Sequence, residues 1–452
     1  MMNVLTVLPV LSLIAGIALS LHFGFPLYLG MVFSILVTLV SVHRLGYSWR
    51  TLLVFGWDGV KQTKPVLLIL FLVGLLIPLL MMGGTIPSII YYGLSVVDVR
   101  YMLVLSFLLT SATSYLLGSS VGTLSTIGLS LMGIAHTAGV PGGSVAGALI
   151  SGAMVGERFS PLSSSRLLVL SITGMTEEEE RRSNRPALFT VGACTLLFLL
   201  VDLLRSQTGV TDMIGFYQEL LHRFFFIGWL PLVPLIVLIG SFALRVRAIP
   251  ALLYGIAAAA VLVLTTTSLD AGTIFRSVLS GYELHSGTPL DQLVRGGGMA
   301  SILNVLVLIS LAGFLNGILN KANLLAPLVD RLMGETVRPA AFAGKAVLLS
   351  VLVVAISCNQ TIPLLVLGST LLERFSRLEG GKVLLGRTML NSTMLIPVII
   401  PWCGLAMLMA VTLGVPTVET LPYLFFPLLL PIVTIVTARS FQTAGVFEKL
   451  SR

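Results

Sequence analysis

Residues Gly118–Gly174 read GSSVGTLSTIGLSLMGIAHTAGVPGGSVAGALISGAMVGERFSPLSSSRLLVLSITG. The stretch is apolar, yet Gly, Ser, Thr and Pro interrupt it repeatedly, and it carries Glu157 and Arg166. In an apolar chain this pattern predicts helices that stop and restart within a membrane. Such breaks are tolerated at membrane depth only where they face protein or a water-filled cavity. Half-helix ends point partial charges at whatever lies between them, so the stretch is a candidate solute or ion site.

Composition fixes the class around this stretch. Of 452 residues, 56% are hydrophobic and 10% charged, and the mean hydropathy is +1.02. Soluble domains carry about a quarter charged residues. The chain therefore reads as an all-α polytopic membrane protein of the cell membrane, with the lipid bilayer as its surroundings. A crossing takes ~20 apolar residues, and such runs allow roughly 11 to 13 membrane segments. The first run, Val4–Leu21, follows no basic residue and contains no A-x-A site, which suits a retained helix better than a cleaved signal. The net charge of +8 fits the Lys and Arg excess of cytoplasmic loops and carries no nucleic-acid meaning. Cys194, Cys358 and Cys403 lie in apolar runs without metal spacing. No phosphate-binding P-loop is present, which argues against direct ATP drive, and the chain is expected to be a transporter and not an enzyme. No cofactor is expected.

Five regions follow along the chain. Residues 1–64 hold two scaffold helices and a segment from His43 to Lys64 whose mixed basic and aromatic residues suit an interfacial helix. Residues 65–186 form a first transport unit, with a helix break at Gly83, Gly84 and Pro87. Its end, MTEEEERRSNRP, reads as a solvated charged loop. Residues 187–295 hold connecting helices and the longest polar link, 296–440 a second transport unit, and 441–452 a tail.

Adding 240 to the numbering of the first unit gives the second. Gly118-Ser119-Ser120 falls on Cys358-Asn359-Gln360, Ser151-Gly152-Ala153 on Asn391-Ser392-Thr393, and Ser160-Pro161-Leu162-Ser163 on Ile400-Pro401-Trp402-Cys403. Paired broken helices in corresponding positions of two halves point to a transporter's central site. The expected fold is thus two repeats with paired discontinuous helices or re-entrant hairpins, inverted if each half crosses an odd number of times. Residues Ser119–Thr126 and Asn359–Leu365 are expected side by side near the bilayer midplane.

The segments FLVGLLIPLLMMGGTIPSIIYYGL (71–94), SSVGTLSTIGLSLMGIAHTAGVPGGSVAGALISGAMVGERFSPLSSS (119–165) and IPWCGLAMLMAVTLGVPTVETLPYLFFPLLLP (400–431) resemble the NhaC-type Na⁺/H⁺ antiporters of the ion-transporter superfamily. The resemblance covers roughly residues 65 to 440, and GTLSTIG, SGAMVGERFSPLS and IPW are its most specific parts. It implies a secondary antiporter exchanging Na⁺ for H⁺. The chain departs from the family pattern at several acidic positions. Glu157 keeps a carboxylate before Ser-Pro-Leu-Ser, but Ser164 replaces an Asp, Cys358-Asn359-Gln360 replaces Gly-Asp-Gln, and Leu390-Asn391-Ser392 replaces Glu-Asp-Ser.

A sodium site needs several oxygen ligands and normally a carboxylate. Ser119, Ser120, Thr123, Ser160, Ser163, Ser164, Asn359, Gln360, Thr361, Asn391, Ser392 and Thr393 supply oxygens at the breaks, and Glu157 is the carboxylate inside them. An ionisable residue inside a membrane marks a pathway and calls for a partner. For Glu157 the candidates are Arg158 and Arg166, and Arg166 is the expected charge partner. Two readings remain for Arg166 besides this one: snorkelling to an interface, or meeting a substrate carboxylate. The last belongs to the alternative function, a proton- or sodium-coupled transporter of a small organic anion or amino acid, for example a malate/lactate-type exchanger. A homodimer is left open.

Overall fold

In the computed structural model the described residues are 4–23, 25–96, 98–205, 210–244, 246–267, 269–288, 290–296, 298–324, 332–333, 339–376 and 380–438. Helices α1 (Val4–Phe23) and α2 (Leu27–His43) pack on each other at the start of the chain. Helix α3 (Trp49–Met82) begins at Ser48, whose side chain accepts a hydrogen bond from the Thr51 N–H and so satisfies one orphan donor. Its 34 residues span ~51 Å at 1.5 Å per residue. The expected interfacial segment up to Lys64 is therefore the first part of one continuous helix that carries on as the span Pro65–Met82.

The chain continues through α4 (Thr85–Val96) and α5 (Met102–Leu117) to a break at Gly118, which adopts φ +67°. The chain restarts as α6 (Ser120–Thr123), passes through a π-helical turn at Leu124–Gly128 and ends as α7 (Leu129–Thr137). Then come α8 (Gly142–Phe159), a turn through Ser160–Ser163, α9 (Ser164–Thr173), α10 (Glu177–Ser183) and α11 (Arg185–Leu204). Helices α12 (Val210–Phe224), α13 (Val233–Ala243), α14 (Ala248–Thr266) and α15 (Ala271–Ser280) follow. Among the described residues the one departure from an all-α chain lies here, an antiparallel pairing of Tyr282–Glu283 with Arg295–Gly296 in the polar link.

The polar link also holds α16 (Leu290–Leu293), and after it come α17 (Met299–Lys321) and α18 (Pro339–Ser357), followed by a break at Cys358. Cys358 adopts φ +52°, the left-handed region that is steric strain for any residue with a Cβ. The chain restarts as α19 (Thr361–Ser376), and α20 (Gly381–Thr388) leads into a second π-helical turn, Met389–Thr393. Helices α21 (Gly404–Leu413), α22 (Thr417–Thr420) and α23 (Phe425–Thr437) are the last of the described residues' helices. Residues 441–452, the expected tail, lie outside the described residues.

Among the described residues, six helices are long and apolar enough to cross a membrane, and seven spans result if the bent pair α21 and α22 counts as one. Shorter apolar helices such as Leu27–His43, Ser164–Thr173 and Phe425–Thr437 fall below a full crossing. Apolar runs alone predict roughly 11 to 13 segments, whereas six or seven of the described helices have the length and composition of a full span. The chain is a multi-pass membrane protein.

Helix α8 is the centre of the fold and is buried continuously from Ser144 to Arg158. It packs on α5 and α23. A Cβ at Gly152 or Gly156 would run into Thr110 or Ser114 of α5, so these glycines set the close approach. That approach lets the Ser114 hydroxyl donate to the Ala153 carbonyl at 2.7 Å.

Candidate functional site

Glu157 sits in the last turn of α8 and is buried, with 6% of its surface exposed. Its Oε1 accepts two hydrogen bonds from neutral donors. Ser165 Oγ, from the first turn of α9, donates at 3.0 Å, and Gln360 Nε2, from the second break, donates at 3.1 Å. Gln360 Nε2 also donates to the Met394 carbonyl at 3.0 Å, and Gln360 Oε1 accepts from Ser165 at 3.4 Å. A carboxylate, a hydroxyl, an amide and a backbone carbonyl from four separate segments thus converge on one point. All are hard oxygen donors or can present one. The Gln360 amide hydrogens lie between the Glu157 and Met394 oxygens.

The turn that separates Glu157 from Ser165 is built locally. Ser160 Oγ accepts from the Leu162 N–H at 3.1 Å, and Ser163 Oγ caps α9 by accepting from the Arg166 N–H at 3.2 Å. The capped restart fixes the face of α9, so that Ser165 reaches Glu157 while Ser164 is exposed.

Several expected ligands have other employment. Asn359 Oδ1 accepts from the Thr361 and Ile362 N–H groups at 2.7 and 3.3 Å, capping α19. Ser119 caps α6 in the same manner through the Gly122 N–H, at 3.1 Å. Thr123 Oγ1 donates to the Ser119 carbonyl at 2.8 Å, and Ser120 is buried in the first turn of α6. Thr361 is exposed. Ser392 Oγ donates to the Thr388 carbonyl at 2.5 Å, and Thr393 Oγ1 lies 2.6 Å from Ser350 Oγ. Of the expected set, Gln360 is the residue whose side chain meets Glu157. The two breaks also have different principal neighbours. The π-helical Leu124–Gly128 packs on α8 and α21, whereas α19 packs on α9 and α20.

Arg166 does not pair with Glu157. Its Nε and Nη2 meet Glu180 Oε2 at 2.9 and 2.6 Å. Glu180 belongs to the block expected to be a solvated loop. That block is instead helix α10, started by a capping box in which Thr176 Oγ1 accepts from the Glu179 N–H and the Glu179 carboxylate accepts from the Thr176 N–H. The box satisfies two helix-end donors at once and turns the fourth glutamate inward, leaving Glu180 1% exposed. The Thr176 N–H, and after it Lys382, hold the Glu179 carboxyl below the usual range.

The second oxygen of Glu180 belongs to Arg158, which is fully buried. Arg158 Nη1 donates to Glu180 Oε1, Nη2 to Asn184 Oδ1 and Nε to Asn391 Oδ1, each at 2.7 Å. Asn391 in turn donates to Thr434 Oγ1 at 2.9 Å, and Arg387 Nη2 donates to the Thr434 carbonyl at 3.3 Å. The predicted ligand Asn391 is therefore committed to a guanidinium. Consecutive residues of α8 face two networks, since neighbours on a helix point about 100° apart: Glu157 a neutral one and Arg158 a charged one.

Comparison with known proteins places the chain. The Na⁺/H⁺ antiporter family matches residues 184–439. The Na⁺/H⁺ antiporter NhaC of Alkalihalophilus pseudofirmus is 28% identical over 417 residues, covering 90% of this chain and 89% of that protein. The malate-2H⁺/Na⁺-lactate antiporter of Bacillus subtilis is 26% identical over 430 residues, 91% of this chain and 90% of the relative. The arginine/ornithine antiporter ArcD of Halobacterium salinarum is 27% identical over 447 residues, 95% of this chain and 90% of the relative. With more than half of its length matched, this multi-pass membrane chain belongs to the Na⁺/H⁺ antiporter family.

Proposed function

We propose that the protein exchanges Na⁺ for H⁺ across the cell membrane by competition of the two ions for the Glu157 carboxylate. The observation that carries this reading is the buried Glu157, met by neutral donors from α9 and from the second break. The chain supplies this carboxylate with neutral hydrogen-bond donors, which leaves the place of a positive partner to a proton or a cation. With Na⁺ bound, Glu157, Ser165 Oγ and the Met394 carbonyl are the oxygen ligands. Gln360 joins them once its amide rotates, exchanging the Nε2 that now faces Glu157 and Met394 for Oε1. The alternative reading, organic-anion transport anchored on Arg166, loses its anchor to Glu180.

The exchange calls for a site reached from each side in turn, and two repeats, 65–186 and 296–440, would provide it. Helix ends support this reading. Helices α9 and α21 start at Ser164 and Gly404 and end before left-handed Gly174 and Gly414, each pair 240 residues apart. The left-handed breaks Gly118 and Cys358, and the starts of α11 and α23 at Arg185 and Phe425, keep the same interval. Packing is reciprocal as well: Gly128 lies against Leu413 of α21, and Gly368 against Ile172 of α9.

The test uses everted vesicles with an imposed pH gradient, to which Na⁺, Li⁺ or organic acids are added one at a time. Na⁺ should collapse the gradient with the wild-type chain, and Glu157→Gln should abolish the response while the protein still inserts. Retained Na⁺ response in Glu157→Gln would overturn the assignment.

A further inference from the structure

Three carboxylates are buried among the described residues: Glu157, Glu180 and Asp202. Two of them already hold positive partners supplied by the chain. Both oxygens of Glu180 are taken by guanidinium groups, Oε1 by Arg158 at 2.7 Å and Oε2 by Arg166 at 2.6 Å. Asp202 accepts from the Leu103 and Val104 N–H groups at the start of α5, at 3.0 Å each through Oδ2, and lies 3.6 Å from Arg205. Helix N-termini carry partial positive charge, so Asp202 is compensated too. Glu157 differs, because its hydrogen-bond donors Ser165 and Gln360 are both neutral.

From this division we infer that Glu157 is the sole exchanging carboxylate of the described protein, and that transport moves one Na⁺ against one H⁺ with no net charge. The inference rests on the proposed role of Glu157 and adds its stoichiometry. The site by Glu180 is a cation site with resident occupants. Its oxygens, with Asn184 and Asn391, form the kind of oxygen cage a metal ion would need, and Arg158 fills it. A Na⁺ arriving there would meet two guanidiniums that cannot deprotonate. Two unit charges at ~4 Å repel by about 4 kcal/mol at an effective dielectric of ~20.

The exchange step balances as Glu157–COOH plus Na⁺ giving Glu157–COO⁻·Na⁺ plus H⁺. Both loaded forms are neutral at Glu157, and the arginine charges are fixed in either direction. The reorienting protein therefore carries the same charge each way, and the membrane potential does no work on the cycle.

A null-point measurement on the full chain in proteoliposomes tests this. A pH gradient is opposed by a graded Na⁺ gradient while K⁺ and valinomycin clamp the potential at zero or inside-negative. The expected null lies where the Na⁺ and H⁺ gradients are equal in fold, at both potentials. A null that moves with potential, or that lies where the Na⁺ gradient is the square of the H⁺ gradient, would overturn the stoichiometry while leaving Glu157 as the exchange site. Absence of any Na⁺-driven proton flux would overturn the assignment of Glu157 itself. Glu180→Gln should keep the wild-type null at whatever rate remains, and a different null would make Glu180 part of the exchanged set. The wild-type null decides the matter if that variant does not fold.

Discussion

Glu157 and Glu180 are both buried carboxylates in the first half of the chain, yet they sit in opposite electrostatic surroundings. Glu180 is closed by Arg158 and Arg166, while Glu157 faces a hydroxyl and an amide. The first ties α8 and α9 to α10 and, through Arg158 and Asn391, to the second π-helical turn. The second is satisfied without being neutralised, which is the state a carboxylate needs if it is to accept a proton and a cation in turn. Charge compensation thus separates a carboxylate that holds the fold from the one proposed to exchange ions.

The largest effect that would sharpen this contrast is on stability. Glu180→Gln leaves Arg158 and Arg166 buried without their carboxylate, and breaking a buried pair from one side costs about 3–5 kcal/mol. The thermal midpoint of the detergent-solubilised protein should therefore fall well below that of Glu157→Gln, which loses only hydrogen bonds to neutral groups, worth about 1 kcal/mol each. Equal midpoints for the two variants would erase the distinction. A smaller effect is expected at Ser165. Its removal in Ser165→Ala costs Glu157 one neutral hydrogen bond and one oxygen ligand, about 1 kcal/mol, or roughly fivefold in the Na⁺ concentration for half-maximal exchange. An unchanged half-saturation would place Ser165 outside the ion site.

The sequence carried the class of the protein because membrane helices announce themselves by composition, and it carried the breaks because Gly118 and the Ser160–Ser163 turn are punctuated by residues that stop helices. Glu157, beside the Ser160–Ser163 turn, and Gln360, at the Cys358 break, are legible as polar groups at helix interruptions. Their partners were less so. Ser119, Ser163 and Asn359 look like ligands in sequence but serve as helix caps, since a restart inside a protein leaves N–H groups that the nearest short polar side chain satisfies first. Ser165 stands beside two serines of similar appearance, and the helical phase set by the Ser163 cap distinguishes it from exposed Ser164. The Met394 carbonyl has no sequence signature, because any residue could supply it. Glu180 was hidden in a run of four glutamates that reads as solvated. Its inward direction depends on the capping box at Thr176 and Glu179, and its partners Arg158 and Arg166 come from helices on the far side of a turn.

The central claim, competition of Na⁺ and H⁺ for one carboxylate, is tested most directly by proton release from the purified protein in unbuffered detergent solution. Addition of Na⁺ at a pH where Glu157 is protonated should release protons from the wild type, followed with a pH indicator, and none from Glu157→Gln. Release from Glu157→Gln equal to that from the wild type would contradict the account.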